Sequence, residues 1–361
     1  MSKEYEVAVY YFPQWHPDPQ NEEKRGKGWS EWQVLEKAVP RFPGHQQPKV
    51  PLWGYLDESD PKTSEKQIDA AADHGVDVFI YDWYWDFGGD GTGPFLQNAL
   101  EKGFLKAPNR NKLKFALMWA NHHPVDRPTW EKITDYIIEK YFCQPNYWTI
   151  DGAYYFSIYE LQTFIKGLGG VQQAIDAFQS FRDKAAINGY TLHINLVEWG
   201  LQDAAQIGSE PNEAAKAFGI DSVTSYVWIH NFTPKAPLYA PYSQWREGAL
   251  PYWDTLTERF DVPYYPNVSM GWDSSGRFDP EKEYIAQENS YFCTIMSENT
   301  PAEFEISLEK VKEFLDKSSL KHKIFTIYAW NEWTEGGYLE PDSINKLGYL
   351  EAIRKVFGAD K

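Results

Sequence analysis

The sequence predicts one (β/α)8 TIM barrel spanning residues 1–361 as a single domain, with long loops after its strands. Eight short runs rich in Val, Ile, Tyr and Phe recur along the whole chain. Most are continuously apolar rather than alternating, as expected when both faces of a parallel strand are covered. Helical patterns fall between them, and 361 residues accommodate a barrel with insertions. A doubly wound open sheet is the rival architecture, but no glycine-rich phosphate loop supports it.

The first strand is expected near 5–12 (YEVAVYYF), followed by a Pro-, Gly- and Trp-rich loop over 13–56. Asp60-Pro61 opens the first helix, with proline at its first position and Gly75 just past its end. Strands follow near 76–83, 113–119, 153–159, 191–198, 221–229, 264–271 and 324–330. Helices are expected at 94–106, 127–142, 171–188, 301–318 and 346–357. The segment 242–260 reads as two helical pieces divided at Pro251. "GGDGTGP" at 88–94 lacks GKS/T and reads as a flexible turn.

A formal charge of −17 argues against nucleic acid and against an anionic membrane surface as partners. No apolar run approaches the roughly 20 residues of a membrane span. The start "MSKEYEVAVYYF" lacks the basic-then-apolar pattern of a signal peptide. If Met1 is the native start, a cytoplasmic protein is expected; removal of a leader would make it periplasmic or secreted. Two cysteines, Cys143 and Cys293, imply no disulfide framework and are read as free thiols.

Catalysis in such barrels lies at the carboxyl ends of the strands. Those ends present Gln14, Trp15 and His16, then Asp82 and Trp83, then Asn121, His122 and His123. Tyr159, Glu160, Glu198, Trp199, Trp228, His230, Trp272 and Asp273 follow, and the last strand delivers Asn331, Glu332 and Glu335. Carboxylates accept hydrogen bonds from hydroxyls and indoles cover apolar sugar faces, so the pattern suits a neutral oligosaccharide or polysaccharide. Glycosidic cleavage needs a proton for the leaving oxygen and help at the anomeric carbon, usually from two carboxyls. Glu332 and Glu335, three apart on one turn, can present both to one point, although surface loops also carry glutamate pairs. Two close carboxyls also split their pKa values. His122, His123 and Asp126 form no recognised ligand spacing, so no metal and no cofactor is expected. "GxSxG" is absent, which disfavours a nucleophile-elbow hydrolase.

The blocks "YYFPQWHPDPQNEEKRGKGWSEW", "FPGHQQPKVPLWGYLD", "MWANHHP", "GWDSSGRF" and "YAWNEWTEGGYLEP" together resemble the WbsX-like proteins. These are bacterial relatives of glycoside hydrolase family 99, the endo-α-mannosidase type, and the blocks run from residue 10 to about 353. The resemblance implies a (β/α)8 barrel and a retaining cleavage of an α-linked, mannose-like sugar through a 1,2-anhydro intermediate. It implies Glu332 as base on the sugar 2-hydroxyl and Glu335 as acid and then base. The expected sugar contacts are Asp82, Trp83, Asn121, His122, Glu198, Trp199, Trp228, Trp272, Asp273, Arg277, Asn331 and Tyr338. Two departures imply an altered subsite: His122 where relatives read W-A-N-E, and "IYDWYW" at 80–85 in place of a Tyr-His-Tyr-Trp pattern. Two rivals remain: a glycosyltransferase of O-antigen-type polysaccharide synthesis, for which no nucleotide-diphosphate motif is present, and a non-catalytic sugar-binding barrel.

Overall fold

The structure, a computed structural model, describes residues 3–85, 93–201, 207–288 and 290–358. Eight parallel barrel strands follow in chain order: β1 (Tyr5–Tyr11), β2 (Val78–Trp85), β3 (Lys114–Trp119), β4 (Ala153–Ile158), β5 (Leu192–Val197) and β6 (Ser222–Thr224) come first. β7 is split at Pro266 into Tyr264–Tyr265 and Asn267–Ser269, and β8 is Lys323–Tyr328. The split closes the ring, because the first piece of β7 pairs with β6 and the second with β8. β8 in turn pairs with β1, in a register from Tyr5↔Lys323 to Val9↔Ile327. The expected barrel is therefore present.

Several boundaries differ from expectation. Residues 94–106 form no α-helix: Pro94–Phe95 pairs with the end of β2, and a π turn (Ala99–Gly103) and a 3-10 turn (Phe104–Lys106) follow. β6 stops at Thr224, well short of 229, and Trp228–His230 is a 3-10 turn. Helices at Leu161–Leu168 and Pro211–Ala217 were not foreseen. The first helix (Pro61–Asp73) starts as its sequence dictates, with Asp60 Oδ1 accepting from the Lys62 amide at 2.9 Å. The divided helix appears as Tyr242–Ala249 and Pro251–Arg259. Of "GGDGTGP", residues 88–92 lie outside the described residues. Cys143 is exposed and Cys293 buried, and both are free.

Side chains alternate across a strand, so every second residue enters the barrel. On β4 to β8 one layer of those positions is polar rather than branched aliphatic. Ser157 Oγ and Thr224 Oγ1 donate to Asn195 Oδ1 (2.8 and 3.1 Å), and Asn195 Nδ2 donates to Ser222 Oγ (2.9 Å). Asn267 Nδ2 donates to Thr326 Oγ1 at 3.1 Å. All six side chains are buried, so each bond offsets the desolvation of its partners. The next inward residue along the same strands forms the floor of a cavity: Phe12 above Tyr10, Tyr159 above Ser157, Tyr226 above Thr224. At the opposite face the start of β1 meets the end of the last described helix, with the Tyr5 and Phe357 rings 5.4 Å apart.

Candidate active site

The cavity at the carboxyl ends of the strands has a volume of about 680 Å³. Glu332 and Glu335 reach it from a short turn. Asn331–Glu332 and Gly337–Tyr338 form a small antiparallel ladder, and a 3-10 turn (Trp333–Glu335) joins them. With three residues per 3-10 turn, positions 332 and 335 point the same way. Gly336 closes the turn at φ 69°, and a Cβ there would lie 2.7 Å from the Asp273 Cβ. Only glycine satisfies both demands.

One guanidinium serves both carboxyls. Arg277 Nη1 donates to Glu335 Oε1 at 2.5 Å, and Nη2 lies 3.5 Å from Glu332 Oε2. Glu335 Oε1 also accepts from the Tyr291 hydroxyl at 2.8 Å, and Oε2 accepts from the Tyr328 hydroxyl. Glu332, 3 % exposed, has no such set of donors. Burial, and next the Glu335 charge, raise its pKa well above the usual carboxylate range, with Arg277 opposing. The pair is thus asymmetric.

Asp82, at the inward end of β2, is 2 % exposed. Its Oδ2 accepts from the Tyr226 hydroxyl at 2.7 Å, while buried Oδ1 has no hydrogen-bond partner among the described residues. Burial raises its pKa well above the usual range. Opposite the glutamates, Glu160 lies beside His122, the residue that departs from the W-A-N-E pattern, at 3.3 Å. Burial pushes Glu160 upward, but bonds from His122 and Thr163 outweigh it and lower its pKa. Trp199, 37 % exposed, stacks on His230 at 4.6 Å between centroids, and burial lowers the His230 pKa to about 3.

Of the expected sugar contacts, the cavity brings together Asp82, His122, Trp199, Trp272 and Arg277 with Glu332 and Glu335. It does not bring in the others. Trp83 points outward from β2 and donates through Nε1 to the Tyr141 hydroxyl (3.0 Å), because its neighbours Asp82 and Tyr84 take the inward positions. Asn121 trades hydrogen bonds with the Glu160 backbone (2.7 and 2.8 Å). Glu198 accepts from Asn231 at 2.5 Å, and Trp228 is buried, donating to the Asn267 carbonyl at 3.0 Å. Asp273 is locked by His45 (2.8 Å), Gln47 (2.6 Å) and Ser275 (2.5 Å), and His45 holds its carboxyl well below the usual range against the opposing effect of burial. Asn331 joins β8 to the end of β1, and Tyr338 stacks on Trp333 at 4.0 Å. Sequence reasoning missed Tyr226 and Tyr328, which inward alternation along β6 and β8 would have found. It also missed Tyr291, which a loop carries without any periodic signal.

The profile of the family described as Glycosyltransferase WbsX matches residues 7–137 and 123–353. The chain belongs to that WbsX family. A curated relative, the uncharacterized protein WxcX of Xanthomonas campestris pv. campestris (strain B100), is 26% identical over 97% of this chain and 49% of its own length. This WbsX family member thus spans about half the length of the curated relatives it matches. Among solved structures, the GH99 endo-alpha-mannosidase from Bacteroides thetaiotaomicron superposes with a TM-score of 0.58 at 14% identity, over 97% of this chain and 98% of that one. A glycoside hydrolase-like protein gives 0.61 at 15% identity, over 99% and 95%. At that identity the likeness shows a shared barrel fold. Among the described residues no cluster of His, Cys, Asp or Glu could hold a metal ion, and no helix is long and apolar enough to cross a membrane.

Proposed function

We propose that this WbsX family member is a glycoside hydrolase cleaving an α-linked sugar within an oligosaccharide or polysaccharide, with retention through a 1,2-anhydro sugar. The observation that carries the reading is the pair Glu332 and Glu335, held on one guanidinium at the floor of a cavity large enough for an oligosaccharide. Glu332 takes the proton of the 2-hydroxyl as that oxygen attacks the anomeric carbon, and Glu335 donates a proton to the departing oxygen. Water then opens the anhydro ring: Glu335 takes its proton and Glu332 returns one to the 2-oxygen, so both carboxyls regain their starting states. Burial favours the protonated form of Glu332. The base must be ionised to act, so activity should rise as pH climbs through its raised value.

The family's description as a glycosyltransferase favours a second reading. Against it stands the cavity's lining: Asp82, Glu160, Glu332 and Glu335 face it and Arg277 is already engaged by the two glutamates, which leaves a nucleotide diphosphate poorly matched.

The test uses leaving groups. A general acid matters less as the leaving group becomes more acidic. Glu335→Gln should lose most activity on natural α-linked oligosaccharides yet retain far more on a nitrophenyl glycoside, whereas Glu332→Gln should be crippled on both. Equal rescue of the two variants would undo the roles. Binding of nucleotide sugars without release of reducing ends from any α-linked glycan would favour the transferase.

A further inference from the structure

The block "GWSEW", residues 28–32, has no part in the chemistry above, yet its glutamate lies beneath the reacting pair. Glu31 sits in the loop between β1 and the Pro61–Asp73 helix. The next residue, Trp32, packs its ring on Trp15 (4.1 Å between centroids) and near Trp333 (6.2 Å), which fixes this loop against the 333–335 turn. Glu31 is 5 % exposed. Its Oε1 accepts from Arg277 Nε at 3.1 Å and from Thr334 Oγ1 at 3.1 Å, and Arg277 Nε also donates to Thr334 Oγ1 at 2.8 Å. The three side chains form a closed triangle.

A guanidinium carries its five N–H donors in one rigid plane, so gripping one edge fixes where the others point. With Nε held by Glu31 and Thr334, Nη1 meets Glu335 at 2.5 Å and the Tyr291 hydroxyl at 2.6 Å, while Nη2 stops 3.5 Å from Glu332. The rings of Phe12 and Tyr291 lie over the guanidinium carbon at 5.4 and 5.8 Å and restrict its tilt.

We propose that Glu31 is a positioning residue for the Glu332–Glu335 pair, resting on the reading of those two as the reacting carboxyls: it grips Arg277 at Nε, so that the guanidinium serves Glu335 closely and Glu332 weakly. The asymmetry of the pair is therefore set from a third carboxylate, outside the cavity lining. The groups facing Glu332 are Glu335, Arg277, Asp82 and Glu31, with the hydroxyls of Tyr84, Tyr226, Tyr291 and Tyr328 around them. Burial and Glu335 raise Glu332 most, Arg277 opposes them, and Asp82 and Glu31 add to the rise. Glu31→Gln keeps the shape and an acceptor for Nε but removes the charge, and it loosens the claim on Arg277. Both changes favour ionised Glu332.

The experiment titrates Glu332 by its carboxyl-carbon resonance in glutamate-labelled protein, assigned by its loss in Glu332→Gln. Glu31→Gln should raise the acid ionisation constant of Glu332 by about tenfold, one pKa unit, and Glu31→Asp, which keeps the charge but is one methylene too short to hold Nε, should move it in the same direction. An unchanged titration in Glu31→Gln, or an Asp variant that titrates as the wild type does, overturns the proposal. Should Glu31→Gln not fold, the wild type decides: with Nε held by Glu31 and Thr334, the Arg277 Nε–H proton should exchange slowly with solvent on both sides of the Glu332 midpoint. Rapid exchange of that proton overturns the proposal. The titration needs no substrate. Where turnover is measured, the acidic limb of kcat/KM should move down by the same factor; a moving resonance with a stationary limb upholds Glu31 and removes Glu332 as the base.

Discussion

Asn331 reads in the sequence as a sugar ligand, and in the structure it is a clamp between the first and last strands. Its Oδ1 accepts from the Phe12 amide and its Nδ2 donates to the Phe12 carbonyl, both at 2.8 Å, while Nδ2 also donates to Glu58 at 2.6 Å. Asn331→Ala would strand the Phe12 N–H and C=O and leave the Glu58 carboxyl only its long bond from Gln67 (3.5 Å). Each stranded group costs about 1–3 kcal/mol, and partial relaxation brings the total to about 3–5 kcal/mol. For a chain of this size each kcal/mol moves Tm by roughly 2 °C, so a fall of about 6–10 °C is expected. Affinity for any bound oligosaccharide should change by less than about twofold, because the side chain does not line the cavity. The assay pairs differential scanning calorimetry with titration of the ligand. A Tm within about 1 °C of wild type together with a tenfold loss of affinity would refute this reasoning and return Asn331 to the site.

Glu332→Gln should stabilise the protein increasingly as pH rises: the folded-state pKa is raised, so the wild type's contribution is fully present below the unfolded value of 4.5 and is lost as pH climbs through the folded value. The slope in that window is at most about 1.4 kcal/mol per pH unit, and Tm curves of the two proteins that run parallel, or diverge toward acid, would contradict it. Trp199→Ala, exposed at the cavity wall, should weaken oligosaccharide binding by about 1–2 kcal/mol with Tm nearly unchanged, whereas buried Trp228→Ala should cost about 3–5 kcal/mol of stability. Loss of binding from Trp228→Ala without a fall in Tm would reverse that division. Activity should survive chelation; complete loss in EDTA, restored by a divalent ion, would overturn the carboxylate-only mechanism.

The barrel was legible because strands buried on both faces must be apolar along their length, and the helices carry their stops and starts in Asp60-Pro61, Gly75 and Pro251. What could not be read was which strand-end side chain turns inward. Asp82 and Trp83 are adjacent, so one faces the cavity and the other the surrounding helices, and a pattern of residue types does not separate them until the inward register is known. Phe12, Tyr159 and Tyr226 show that inward register once the polar lumen is seen. Glu340, the third carboxylate of the last block, stands apart from Glu332 and Glu335: it is buried and accepts from Trp333 (2.9 Å) and Gln67 (3.1 Å). Glu31 and Tyr291 come from loops whose paths depend on contacts distant in sequence, and no local pattern foretells them.

The meeting of Tyr5 and Phe357 sets how this unit can be attached to anything else. β1 begins and the final helix, Gly348–Phe357, finishes behind the barrel, on the face away from Glu332 and Glu335. A tether, a surface support or a fused domain joined at either end would leave from the rear. The mouth would stay clear for a bulky polymer, and a short linker joining the two ends would leave the cavity untouched. New ends could then be opened in a surface loop of choice.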